Sequence, residues 1–276
     1  MNTVRKPAVA GLFYPADPTR LRHQVQAYLD QAAAGAGRDA GSEGATPKAL
    51  IVPHAGYTYS GPPAAAAYVR LAGARTRISR VVLIGPAHRV PLHGFAVSAA
   101  TAFATPLGDV PVDRATVRAL LALPLVREDE TAHAEEHCLE VQLPFLQLVL
   151  DAFTIVPLVA GEAAPAETAR VLDLVWGGPE TLIVVSSDLS HYRDDETARR
   201  LDRTTADAIE TLRPEALVRG TACGRVPIAG LLHAARARGL AVETAALQNS
   251  GAVTGDRREV VGYGAFVFAA APPESG

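Results

Sequence analysis

An apolar segment closely followed by a histidine occurs three times in the chain, and this pattern constrains the fold more than any other feature. The pairs are 49–52 with His54, 80–85 with His88, and 181–187 with Asp188 and His191. Such short apolar runs are typical of buried strands, and Pro53, which cannot donate to a strand ladder, predicts that the first strand ends at Val52. In open α/β sheets, ligands bind beyond the carboxyl ends of the strands. The pattern therefore predicts that these side chains meet at one edge of a sheet.

Strand-like and helical segments alternate along the rest of the chain, which favours an α/β fold. We predict a single domain over residues 1–276, with a mixed, mostly parallel sheet and helices on both faces, and we expect the last two strands to pair antiparallel. The segment 35–47 is predicted to be a surface loop. Predicted strands are 49–52, 80–85, 95–98, 153–159, 181–187, 242–247 and 260–268; predicted helices are 18–34, 61–72, 112–123, 135–150 (kinked or restarted by Pro144), 165–176, 194–212 and 223–239.

The composition excludes several classes of protein. Hydrophobic residues make up 49% of the chain, so disorder is not expected. A net charge of −3 and scattered arginines give no basis for nucleic-acid binding. The apolar runs are far shorter than the ~20 residues that a membrane helix needs, and no apolar run follows Met1, so neither a membrane span nor a signal peptide is expected. The two cysteines, Cys138 and Cys223, cannot form a disulfide framework, which favours a cytoplasmic location.

His54 and His88 are the first candidates for chemistry. Neutral imidazole is the commonest side-chain metal ligand, and the end of a strand can fix the orientation of its ring. The alternative is a histidine that only hydrogen-bonds within a tight turn. The pattern occurs twice, each time with a proline and a small residue nearby, and both interpretations stay open.

Asp188, His191 and Cys223 are the next candidates. Asp188 could orient an imidazole and His191 could move a proton near neutral pH, although either Asp188 or Ser190 could instead cap a helix. Cys223 precedes a predicted helix, whose dipole would lower the thiol pKa and favour a thiolate that binds iron, zinc or copper. The alternative for Cys223 is a small buried side chain, which is also the interpretation for Cys138.

The segment His133-Ala-Glu-Glu-His137 matches the H-x-x-E-H motif of inverted zinc peptidases. On a helix its two histidines would share a face, with Glu136 as the base. Pro144 shortens any helix here, and a zinc peptidase would leave the strand-end histidines without a role. The preferred interpretation is that His137 alone turns into the same pocket as His54 and His88.

Six segments of the chain together resemble the Memo family, in the order found in that family. They are Arg5-Lys-Pro-Ala-Val-Ala-Gly-Leu-Phe-Tyr-Pro15, Pro53-His-Ala-Gly-Tyr-Thr-Tyr-Ser-Gly61, Ile84-Gly-Pro-Ala-His88, Glu136-His-Cys-Leu-Glu-Val-Gln-Leu-Pro-Phe-Leu146, Ser186-Ser-Asp-Leu-Ser-His-Tyr192 and Cys223-Gly-Arg-Val-Pro-Ile228. The resemblance implies a fold similar to that of class III extradiol dioxygenases, which hold non-haem Fe(II). It also implies a possible radical-SAM partner protein.

The resemblance implies specific roles for the candidate residues. His54, His88 and Cys223 match the metal ligands of the family, with Fe(II) as the first choice of ion and copper or zinc as alternatives. His191, with Asp188 beside it, falls where the dioxygenases keep an acid/base histidine, and His137 matches a pocket histidine. The chain departs from the family at Val226, where many members carry a histidine, so the rim of the pocket is expected to differ.

Two functional hypotheses follow from these residues. The first is a non-haem iron-dependent oxidoreductase, similar to a dioxygenase, acting on an unknown small molecule in the metal pocket. The second is a non-enzymatic module that binds a peptide or protein and keeps a structural or redox metal. Family membership constrains the fold more closely than the reaction, and whether the chain is an enzyme is left open.

Overall fold

The computed structural model describes residues 3–35 and 46–271. Most of the predicted surface loop 35–47 therefore lies outside the described residues. Strands are β1 (Val4–Arg5), β2 (Ala49–Val52), β3 (Arg80–Pro86), β4 (Phe95–Val97), β5 (Ala102–Thr105), β6 (Gly108–Pro111), β7 (Val126–Glu128), β8 (Thr154–Ala160), β9 (Thr181–Ser186), β10 (His191–Arg193), β11 (Leu240–Asn249) and β12 (Val260–Ala270). Helices are α1 (Pro18–Gly35), α2 (Tyr57–Tyr68), α3 (Arg114–Leu120), α4 (Glu130–Ala134), α5 (Leu143–Val149), α6 (Pro165–Val175), α7 (Asp195–Glu210), α8 (Arg225–Ala237) and α9 (Gly251–Thr254).

Four parallel strands form the centre of the main sheet, in the order β2-β9-β3-β8. Their residues are mostly apolar and almost all buried. A strand buried on both faces carries a continuous apolar run instead of an alternating one, because both of its faces meet helices. The same apolar runs that predicted these strands thus also place them at the middle of the sheet.

Antiparallel pairings flank this parallel centre. On one side β12 pairs with β2, and both β10 and β11 pair with β12. On the other side β4 pairs antiparallel with β8 and parallel with β7. A separate sheet has the order β1-β5-β6. The predicted mixed α/β fold is confirmed, as is the antiparallel pairing of the last two strands, and the parallel pairs are concentrated at the centre.

The helices form two groups that cover the sheet. In the first group α1 packs on α2 and α5, and α2 contacts β2; in the second, α6 packs on α3 and α8, and α8 contacts β3 and β9. Because the central strands are buried on both sides, a helix layer is required on each face. None of the helices in ranges 3–35 and 46–271 is long and apolar enough to cross a membrane.

Several short elements were not predicted, and the clearest differences from the sequence-based prediction concern two helices and a hairpin. The helix predicted from residue 61 begins at Tyr57, so that Pro62 and Pro63 lie inside it. The helix predicted over 135–150 is confined to α5, which restarts with Pro144 in its first turn as the proline predicted. The hairpin of β5 and β6 was not predicted, because its short strands are only partly apolar.

Candidate metal centre

The carboxyl ends of three neighbouring strands converge as the sequence predicted. Since β2, β9 and β3 lie side by side and parallel, His54, Asp188 and His88 follow them at the same edge of the sheet. The connection is direct between the first two, because the backbone N–H of His54 donates to Asp188 Oδ1 over 2.7 Å. Asp188 therefore fixes the position of the His54 backbone, from which the imidazole extends.

His54 is fixed in one tautomer by its neighbours. The Ser186 hydroxyl has one proton, which it donates to the carbonyl oxygen of Cys138 over 2.6 Å. It must therefore accept from His54 Nδ1, 3.0 Å away, so the His54 Nε2 atom is left unprotonated, 3.3 Å from Cys223 Sγ. Burial lowers the pKa of His54 to about 3. The ring is thus neutral near pH 7 and offers Nε2 as a ligand.

His88 is fixed in the same way by a carboxylate. Its Nδ1 lies 2.9 Å from Glu136 Oε1, and its backbone N–H donates to Glu136 Oε2 over 2.7 Å. The N–H of Cys138 donates to the same carboxylate over 3.0 Å. Burial alone would raise the pKa of Glu136, but the hydrogen bonds and charge of His88 lower it to about 2. An ionised carboxylate only accepts, so Nδ1 carries the proton and Nε2 is free to bind a metal.

Cys223 reaches the centre from the loop before α8. The Asp188 N–H lies 3.2 Å from Cys223 Sγ, and Gly224 N–H donates to Ser187 Oγ over 2.9 Å. A side chain at Gly224 would place its Cβ 2.6 Å from Ser187 Cβ, so glycine permits this close approach. The expected lowering of the thiol pKa is wrong for the metal-free protein, because burial and the charge of Asp188 raise it to about 12.

The ligand atoms of His54, His88 and Cys223 all lie within 4.8 Å of one another. Two ligands bound to one ion at ~2.0–2.3 Å are at most about 4.6 Å apart, so an ion fits after a small adjustment. Two imidazoles and a thiolate suit iron, zinc and copper. Three protein ligands also leave coordination positions open for other molecules.

His137 completes a group of three imidazoles. Its ring centroid lies 4.9 Å from that of His88 and 5.4 Å from that of His54, and on its other side it contacts Phe13 at 5.0 Å. Its Nδ1 is buried without a hydrogen bond to any described residue, and Glu136 Oε1 is 3.4 Å away. Burial is the main cause that lowers the pKa of His137 to about 4. A buried nitrogen without a partner is a site at which a bound group could be held.

His191 begins β10 next to this cluster, but Asp188 does not hold its ring. Its Nδ1 donates to the carbonyl oxygen of Leu189 over 2.8 Å, which leaves Nε2 as the ring nitrogen available for proton exchange. The predicted contact of Asp188 with the ring is thus wrong, since its carboxylate accepts from the His54 backbone instead. Helix capping by Asp188 or Ser190 is also wrong, because Asp194 caps α7.

His133 lies away from the centre, and the zinc-peptidase alternative is not supported. Helix α4 ends at Ala134, so His133 and His137 do not share a helical face. His133 Nε2 hydrogen-bonds to the carbonyl oxygen of Ala96 over 3.1 Å, and Glu136 is committed to His88. Within the described ranges, no group of potential metal ligands includes His133.

A family model described as Memo-like protein matches residues 5–267 of the chain. The chain belongs to the Memo family. A MEMO1 family protein from Thermotoga maritima is 38% identical over 94% of this chain and 97% of its own length. A MEMO1 family protein from Aquifex aeolicus is 37% identical over 96% of this chain and 99% of its own length.

Among solved structures, this Memo chain is similar to an uncharacterized protein from Escherichia coli K12. The TM-score is 0.52 and the sequence identity 15%, with 78% of this chain and 98% of that chain covered. At this level of identity the similarity concerns the fold alone. It agrees with the mixed sheet described above.

A cavity of about 320 Å³ adjoins the candidate metal centre, and Cys223 is one of its lining residues. Val226, where the resemblance implied a different rim, lies in its wall beside Pro227, and Val90 and Leu92 also line it. The expected rim position is therefore part of a cavity wall, and its side chain is apolar.

The residues that orient the ligands were not recognised in the sequence. Ser186 and Glu136 hold the Nδ1 atoms of the two histidines, and Gln142 donates to Ser186 Oγ over 2.9 Å. Glu136 and Gln142 both lie within the Memo-like segment 136–146. Their place in a largely apolar segment beside a candidate histidine was the available signal, because a buried polar side chain needs a polar partner.

Replacing Glu136 by glutamine should weaken metal binding about 10–100-fold, as removal of a group that orients a ligand usually does. The Glu136 carboxylate accepts from three N–H groups, those of His88 N, His88 Nδ1 and Cys138 N. A glutamine amide would turn a donor toward at least one of them. Competition with a chromophoric chelator measures the affinity.

The matched control for this change is Glu180→Gln. Glu180 accepts from the Gly178 N–H but precedes β9, at the opposite edge of the sheet. Its variant should bind metal like the unmodified chain. Equal affinities for the Glu136→Gln variant and the unmodified chain would contradict the role assigned to Glu136.

Proposed function

We propose that this Memo-family chain is a non-haem iron-dependent oxidoreductase that acts on a small organic molecule. Fe(II) is the first choice of ion, with copper or zinc as alternatives. The observation that supports this most directly is the convergence of His54, His88 and Cys223 ligand atoms to within 4.8 Å. Each imidazole is held through its Nδ1 by a neighbouring side chain, so each can present Nε2 to an ion.

Fe(II) held by these residues would supply redox chemistry and open coordination positions for a substrate and O₂. The chain itself supplies three further functions in this proposal. His191 Nε2 accepts or returns a proton, because its Nδ1–H is held by Leu189. His137 adds a third imidazole beside the rings of His54 and His88, and Asp188 keeps His54 in place.

The cavity beside Cys223 gives this proposed substrate a binding volume of about 320 Å³. Such a volume is at the small end of ligand sites, which favours a small molecule over an extended peptide. Both cysteines are free thiols, and a thiolate ligand persists only where thiols stay reduced. We therefore place the activity in a reducing compartment such as the cytoplasm.

The test begins with protein purified without oxygen and without a histidine tag. Its metal content is measured first, and the protein is then loaded with Fe(II) and exposed to a panel of catechols and enediols while oxygen uptake is recorded. Substrate-dependent uptake that needs Fe(II) would support the oxidoreductase. Full metal content with no uptake for any substrate would favour the alternative, a binding module with a structural or redox metal.

Metal affinity should rise with pH in a range where ordinary histidines are already neutral. The Cys223 thiol, with a pKa of about 12, is protonated at neutral pH, so its binding as a thiolate must release a proton. His54 and His137, with pKa values of about 3 and 4, release none. The Kd for Co(II) should therefore fall about tenfold per pH unit from roughly pH 7.5 to 8.5. A Kd that is constant over this range would contradict thiolate ligation.

A further inference from the structure

The first Memo-like segment, residues 5–15, contributes no metal ligand, yet its Arg5, Val9 and Tyr14 are buried. We call this segment the N-terminal arm. Arg5 is 6% exposed and Tyr14 is 3% exposed, and Phe13 packs on the ring of His137. Burying an arginine in a short extended arm is costly unless each of its donors finds a partner. Those partners all lie in one region of the chain, which also carries Glu136 and His137.

Arg5 holds the backbone of this region through its guanidinium group. Its Nε donates to the carbonyl oxygen of His133 over 2.9 Å, and its Nη2 donates to that of Glu136 over 2.5 Å. Its Nη1 donates to the Glu140 carboxylate over 2.6 Å. Residues 135–139 belong to no helix or strand, and the carbonyl oxygens of His137 and Leu139 accept from the N–H groups of Val141 and Gln142. Arg5 supplies a donor for the carbonyl oxygen of Glu136, which needs a partner once it is buried.

Glu140 fastens the arm from the other side. It is fully buried (0% exposed), and its carboxylate also accepts from the N–H groups of Ala8 and Val9, over 2.6 and 3.0 Å, and from the Tyr14 hydroxyl over 2.5 Å. With Arg5 included, this one carboxylate receives four hydrogen bonds. The number of bonds makes the arm and the region that carries Glu136 a single rigid unit, because moving either would leave a buried charge unpaired.

This unit is joined to the metal centre at two points. The backbone carbonyl of Glu136 is held by Arg5, while its side chain holds His88. The ring of His137 packs against both Phe13 of the arm and His88, at centroid distances of 5.0 and 4.9 Å. A shift of the arm would therefore move both the carboxylate that orients a ligand and the imidazole beside it.

We propose that Arg5 and Glu140 are positioning residues for the metal centre, acting through Glu136 and His137. This inference rests on the proposed function, since it assumes that His88 binds a metal. It gives the N-terminal arm a role in the affinity and geometry of the site in addition to its role in packing.

The test is Co(II) binding by Arg5→Lys, by Glu140→Gln and by the milder Tyr14→Phe. Lysine keeps the positive charge but has no planar fork to reach two carbonyl groups and a carboxylate together. The Kd for Co(II) should rise at least tenfold in Arg5→Lys and Glu140→Gln, and by a smaller factor in Tyr14→Phe. The visible spectrum of bound Co(II) should shift in the same variants, because the orientation of His88 changes.

Two controls separate positioning from general loss of stability. Arg75→Lys makes the same change in an exposed pair with Asp151, at the opposite edge of the sheet. Leu172→Ala opens a cavity in the fully buried face of α6. Both should keep the Co(II) affinity and spectrum of the unmodified chain when all variants are measured well below their unfolding temperatures.

The possible failures are distinguishable. If the unmodified chain binds no Co(II), the proposed function fails and this inference fails with it. If the unmodified chain binds Co(II) and the three arm variants match it in Kd and spectrum, only this inference is overturned. It is also overturned if Leu172→Ala weakens Co(II) binding as much as Arg5→Lys, because the effect would then follow stability alone.

Discussion

Replacing Cys223 by alanine should remove most of the affinity for metal. The loss should exceed the roughly 10–100-fold that removing an orienting partner costs, since alanine removes one of only three protein ligands. The two remaining ligands, His54 and His88, are neutral imidazoles when they bind an ion. The variant would therefore lack both the negative charge and the soft sulfur donor of the thiolate. Isothermal titration under nitrogen with Fe(II), and competition with a Cu(I) chelator, measure the effect.

A carboxylate at the same position distinguishes a lost ligand from a damaged pocket. Cys223→Asp or Cys223→Glu should partly restore Fe(II) binding while leaving Cu(I) binding weak, because a carboxylate is a harder ligand than a thiolate. Cys138→Ala is the matched control: Cys138 is buried, and its thiol lies 3.3 Å from the carbonyl oxygen of Pro86. Unchanged Cu(I) affinity in Cys223→Ala would show that the thiol is not a ligand.

The same thiolate should make the metal centre sensitive to air. A cysteine beside a redox metal can be oxidised to sulfenic acid and beyond. Oxygen exposure should therefore reduce metal content in the unmodified chain, and a reductant added early should restore it. This behaviour follows from ligation by Cys223 and is part of the same test.

Replacing His191 by alanine should lower turnover by about 10²–10⁴-fold, the range expected for a general acid or base, while the metal content stays unchanged. His191 Nδ1 is held by a backbone carbonyl, so the ring is oriented without being a ligand. The measurements are steady-state oxygen uptake and metal analysis of the same preparation.

A histidine far from the centre provides the control for this variant. His23 is exposed on α1, and His23→Ala should retain full turnover. Loss of metal from His191→Ala would instead make His191 a ligand. Unchanged turnover with a substrate that the unmodified chain oxidises would remove it from the reaction.

The strand ends were predictable because their signal is local. Pro53 stops β2 at Val52, and the apolar runs before His88 and Asp188 mark buried parallel strands without reference to the rest of the chain. The edge at which they meet then follows from the parallel pairing alone. The antiparallel closure by β11 and β12 was predictable on similar grounds.

The connections between these elements were not predictable, because they depend on residues far apart in the sequence. Nothing near His54 indicates that Ser186 holds its Nδ1, and nothing near Asp188 indicates that it accepts from the His54 backbone. The H-x-x-E-H pattern was misleading as a helical motif, because α4 ends within it at Ala134, and Arg5 donates to the carbonyl oxygens of His133 and Glu136 there. Burial also outweighed the helix dipole at Cys223.

The separation of His54 and Cys223 by 169 positions has a consequence for how the chain folds. Contacts between such distant residues form late, because the entropy cost of closing a long loop comes before the contact can stabilise the chain. The ligands are therefore together only when the sheet and α8 are complete. An ion that binds this finished arrangement favours the native state by mass action, so it should slow unfolding and leave the folding rate unchanged. A chelator would then raise the unfolding rate of the chain and leave its folding rate unchanged.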